Sequence, residues 1–234
     1  MAVHLRRGCR RFAWCGGVLT LGSCLVLAGG VSAAPAPTVF TLTLTGTAHH
    51  EWSHTTAPVE NGDCVRTEMS EGIRTTRFRT KEPVVVRLLG GRVLPADVRG
   101  LMGTATLAGA NTIDERCGNV GNAQIADCAQ TRRSFSGARV RASSPRRGFV
   151  GLGAARGVRL AASDCPLEPV EVRRRPFGPP LSPLRIPKNA LTEAKVASIT
   201  MKATRTATTT YSPPEAGTLE ERVEWKLNFA RVRP

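Results

Sequence analysis

The chain has 234 residues, 33 of them Lys or Arg against 18 Asp or Glu, for a formal charge of +15. That length suffices for one ordinary domain, or two small ones, with a real hydrophobic core. Beyond the first 34 residues no stretch approaches the ~20 apolar residues a helix needs to cross a bilayer, which excludes a multi-spanning helical membrane protein.

The chain opens with Arg6, Arg7, Arg10 and Arg11 and no acid, then runs uncharged from Phe12 to Ala34 through a Leu- and Val-rich middle. The run ends in Val31-Ser32-Ala33-Ala34, small residues suited to a signal peptidase. Residues 1–33 therefore read as a secretory signal peptide, and residues 34–234 as a single β-rich extracytoplasmic domain, secreted or envelope-associated. Two rivals stand beside this reading. An anchor helix is disfavoured by Gly16, Gly17, Gly22, Gly29 and Gly30; acylation of Cys24 is disfavoured by the apolar residues that follow it. Without the four leader arginines, 29 basic residues face 18 acids, a net charge of +11. Arg outnumbers Lys, a bias that a GC-rich genome produces without any function.

Four cysteines remain after the leader: Cys64, Cys117, Cys128 and Cys165. An even number in an exported chain predicts two disulfides. The favoured pairing is a local Cys117–Cys128 loop with Cys64–Cys165 closing a long one. Paired C-x-x-C spacing for structural zinc is absent.

Taken in chain order, strand signals dominate. Val39–Thr45 alternates apolar residues with Thr. Cys64–Ser70 and Ile73–Thr80 follow, joined at Glu71-Gly72, then Val84–Leu89 and Thr104–Ala108. Residues 109–131 read as a polar surface loop stapled by cysteines. Val158–Ala161 and Val170–Arg173 are further strand candidates, and Asn189–Lys195 is the best helix candidate. Phe177–Pro183 is too Pro-rich for a sheet interior and reads as a stiff connection. Ile199–Ala203 and Val223–Phe229 alternate again, with Val223, Trp225, Leu227 and Phe229 on one face. The predicted class is all-β: a disulfide-stabilised β-sandwich or small barrel-like fold with little helix beyond the signal peptide.

His50-Glu51-Trp52-Ser53-His54 is a literal H-E-x-x-H. On a helix His50 and His54 would ligate zinc and Glu51 would act as base. On a strand the two His stand ~13 Å apart and cannot share one tetrahedral ion. The Thr/Leu alternation upstream and Pro58 downstream favour the strand, with Trp52 as a core anchor, and no cofactor is expected. G-x-S-x-G is absent, and only His49, His50 and His54 could serve any other catalytic triad.

Charge is uneven. Residues 131–188 hold thirteen basic residues against three acids. Arg132, Arg133, Arg139, Arg141, Arg146, Arg147, Arg173, Arg174 and Arg175 are the candidate anion-binding set, with an anionic envelope polymer or membrane surface as partner. The scarcity of aromatics among them and the lack of any reader motif disfavour nucleic acid. The leading expectation is thus a non-enzymatic exported binding protein. A zinc-dependent hydrolase using the histidine motif, and a structural or interaction module without a defined ligand, are the alternatives.

Overall fold

A computed structural model describes residues 37–153, 165–187 and 198–232. The leader with Cys24, the Val158–Ala161 strand candidate, the Asn189–Lys195 helix candidate, Arg156, Arg159 and Lys188 lie outside the described residues.

The fold is all-β. Eleven strands are described: β1 (Thr38–Thr55), β2 (Val59–Asn61), β3 (Cys64–Thr80), β4 (Val84–Leu89), β5 (Arg92–Val93), β6 (Ala96–Cys117), β7 (Val120–Ser143), β8 (Phe149–Leu152), β9 (Leu184–Arg185), β10 (Ser198–Thr210) and β11 (Ala216–Arg231). They form one open antiparallel sheet in the order β10-β11-β1-β3-β6-β7-β8-β9, consistent with a β-sandwich. β4 continues the line of β3 along the first residues of β1. The only described helix, α1 (Val170–Arg174), is a single turn.

The period-two pattern sets which face is buried. Leu42, Leu44, Ala48, His50 and Trp52 of β1 point inward beside Leu219, Glu221, Val223, Trp225 and Leu227 of β11. The sheet curls until its two ends share one core: Ile199 and Met201 of β10 line the same small cavity as Ile186, just after β9. Bulky rings lie over glycines on neighbouring strands. A Cβ on Gly72 would come within 2.2 Å of the Trp52 ring, and one on Gly46 within 2.4 Å of Phe78. These glycines admit the aromatic that covers them.

That packing explains one departure from expectation. Glu71-Gly72 is no turn: β3 runs through it unbroken, because Gly72 is the floor under Trp52. Residues 109–131 are likewise no loop. They form the far halves of β6 and β7, hairpinned at Gly118-Asn119 with Cys117 opposite Val120. This also corrects the disulfides, which join Cys64 to Cys117 and Cys128 to Cys165. Cys117 faces Cys64 directly across β3 and β6, while Cys128 faces Gly109, eight residues (~26 Å) down the hairpin. Two formed disulfides suit an oxidising, extracytoplasmic environment. Among the described residues no helix is long and apolar enough to cross a membrane.

Residues 165–180 form a strap across the inner face, from β7 towards β10. Cys165 is bonded to Cys128, and the Leu167 carbonyl accepts from Ser70 Oγ at 2.7 Å. Glu168 pairs with Arg74, Phe177 packs on Phe78, and the Pro180 carbonyl accepts from Arg205. A segment running across the strands cannot join their ladder. Hence Val170–Arg173, expected as a strand, coils into α1 and buries Val172.

Candidate functional site

The H-E-x-x-H residues lie towards the C-terminal end of β1 and split between its faces. His50 is buried under the strap. Its Nε2–H donates to the Arg175 carbonyl at 3.0 Å, since a carbonyl can only accept. Glu221 lies 3.6 Å from the same nitrogen, and Arg175 pairs with Glu221 at 3.1 Å. Burial, reinforced by the Arg74 cation, lowers the His50 pKa to about 3. Burial likewise raises that of Glu221 and lowers that of Arg74, the latter opposed by Glu168. His54 turns to Glu215 (3.4 Å) and stacks at 4.3 Å on Tyr211, whose hydroxyl donates to Glu171 of α1. Glu51 faces outward, 3.8 Å from His49. The strand thus gives His50 and His54 separate partners and turns Glu51 away from both. This buried polar row clamps the strap.

The candidate arginines do not converge. Arg132 and Arg133 are adjacent on β7 and so point to opposite faces, opposite Thr106 and Ala105 respectively. Arg139 and Arg141 lie further along β7, with Arg141 opposite Asp97. Arg146 stacks on Phe149 at 4.0 Å, Arg147 occupies the turn before β8, and Arg173 and Arg174 are exposed on α1. Arg175 is committed to Glu221.

Cations do gather on the outer face, from strands that lie far apart in the chain. In register across the sheet run Lys202, Lys226, Thr45, Arg79 and Met102. The next outward row is Thr204, Glu224, Thr47, Arg77, Thr104 and Ser134. Both rows line an open depression of about 940 Å³. Glu224, its one acid, is already paired with Arg222 at 2.6 Å. Arg77, Arg79, Lys202 and Lys226 form no ion pair with any described residue. Lys202 stands directly opposite Lys226, a like-charge cross-strand contact that weakens a sheet.

Comparison with protein-family models, curated proteins and solved structures yields no match.

A second depression, about 590 Å³, lies further along the same face and is lined by Glu51, Glu71 and Glu220, with Glu51 opposite Glu220. The outer face is therefore segregated into a basic and an acidic half. None of the nine candidate arginines lines the basic depression; Arg132 comes nearest, on the row beyond Ser134. The sequence signal for this lining is faint. Arg77, Arg79, Lys202 and Lys226 occupy the outward phase of their strands, but only the strand order adds them together.

Proposed function

We propose that the protein is an exported, non-enzymatic binding protein that holds an anionic polymer of the envelope or cell surface in its basic outer-face depression. The observation that carries this reading is Lys202 opposite Lys226, in one depression with Arg77 and Arg79, which have no ion-pair partner among the described residues. A sheet selected for stability alone would alternate signs at such positions, whereas counter-charges supplied by a ligand relieve the repulsion. Arg forks bind carboxylate or phosphate in two-point fashion, and Lys adds mobile point charge.

Lys226→Glu tests this by separating binding from folding. It creates an opposite-charge pair with Lys202, so the melting temperature is expected to hold or rise slightly. Retention on immobilised polygalacturonate and polyglycerol phosphate should both fall at least ~10-fold, the factor equivalent to ~1.4 kcal/mol. Arg146→Gln/Arg147→Gln, in a turn away from the depression, should leave retention unchanged. Unaltered retention by Lys226→Glu would refute the proposal.

A further inference from the structure

We infer that the ligand of this depression is a linear acidic polysaccharide lying across the strands, an inference that rests on the anion-binding reading above. The direction comes from the register. Lys202, Lys226 and Arg79 belong to one row that crosses the strands, on β10, β11 and β3. Neighbouring strands lie ~4.8 Å apart, so these three positions fall at roughly zero, one and three spacings. One spacing is about the length of a single sugar residue in an extended chain. A polymer carrying one carboxylate or sulfate per sugar therefore meets the cations in step, and a compact anion meets only one or two of them.

The floor between the cations supports the same class. Thr45 and Thr47 lie between the lysines and the arginines, and Thr104, Ser134 and Ser136 continue towards β7. Hydroxyls that both donate and accept suit a hydroxyl-rich chain. Two other classes of macromolecule fit poorly. Single-stranded nucleic acid uses aromatic platforms for its bases, yet at this depression Phe78 and Trp225 are buried and the half-buried Phe135 packs inward against Phe177. A bilayer surface is gripped by an exposed apolar face, whereas the only outward apolar side chain among the lining residues is Met102. From β10 to β7 the depression spans five strand spacings, ~24 Å, which is room for about five sugars.

The experiment is calorimetric titration of the full exported chain with galacturonate, its linear oligomers of two to eight sugars, polyglycerol phosphate, and inorganic phosphate. The expected result is affinity rising steeply with length and levelling near five sugars, with monomer and phosphate at least 100-fold weaker. Lys202→Gln and Arg79→Gln should each lower pentamer affinity at least 5-fold. Equal affinity for monomer and pentamer would overturn the linear-polymer inference while leaving anion binding intact. Strong binding of polyglycerol phosphate with none of the oligogalacturonates would overturn the polysaccharide class alone. Failure of every anionic polymer to bind would sink the anion-binding reading itself.

Discussion

Among single residues, His50 has the clearest consequence. Its native pKa lies at about 3 because burial and the Arg74 charge oppose protonation. The unfolded chain takes up that proton near the ordinary value of 6.5. Between these values the unfolded state binds a proton that the native state refuses, so stability is fully present above pH 6.5 and declines as pH falls towards 3. At ~1.4 kcal/mol per unit, a shift of this size amounts to several kcal/mol. Glu221 works in the opposite sense. Its raised pKa favours the folded state below the ordinary carboxylate range, and that contribution is lost as pH rises through its native value. His50→Gln keeps a donor for the Arg175 carbonyl but cannot titrate. It should flatten the pH dependence of the urea midpoint between 6.5 and 3; a slope equal to that of the unmodified protein would show that His50 is not responsible.

For the structural elements, the strap is the unit to test. It is held by the buried Val172 and Phe177 together with Cys128–Cys165, the buried Arg74–Glu168 pair at 2.8 Å, and the Tyr211–Glu171 and Arg175–Glu221 contacts. The two disulfides close segments of 37 and 53 residues, for which chain entropy alone gives each about 4 kcal/mol. Their losses should differ in place rather than size. Cys128→Ser/Cys165→Ser is expected to speed hydrogen exchange and proteolysis in residues 165–180. Cys64→Ser/Cys117→Ser should loosen the exposed far ends of β3 and β6 and spare the strap. Identical exchange patterns in the two variants would contradict this division. The wrong cysteine pairing arose at this level. Asn119 and Asn122 beside two cysteines look like loop residues, yet Cys117 and Cys128 lie on opposite arms of one long hairpin. Similarly, Gly72 looks like a turn residue until the Trp52 ring is seen above it.

At the scale of the whole molecule, the proposed association rests on the two oppositely charged depressions of the outer face. Four cations without an ion-pair partner among the described residues, over one depression, give a local field that salt should weaken, with a Debye length of ~10 Å at 0.1 M and ~3 Å at 1 M. Retention on immobilised polygalacturonate should therefore weaken progressively with added salt and be largely gone near 1 M. Retention that persists unchanged in molar salt would contradict an electrostatic attachment. The acidic half around Glu51, Glu71 and Glu220 should repel the same polymer, which confines it to the basic end.

The all-β class, the inward set Val223, Trp225, Leu227 and Phe229, and the strand placement of His50-Glu51-Trp52-Ser53-His54 were legible in the sequence alone. Alternation is a local property: a period of two decides which side chains share a face before any partner strand is known. Disulfide partners, the strap and the basic depression were decided only by tertiary structure. They depend on which strands lie side by side and in what register. Lys202 meets Lys226, and Arg79 shares their row, because β11 lies between β10 and β1, with β3 on the far side of β1. Charge counted along the chain pointed to residues 131–188, whose arginines the fold disperses over both faces of β7, a turn and α1. The depression instead collects isolated cations one strand at a time, a sum that no window of the sequence contains.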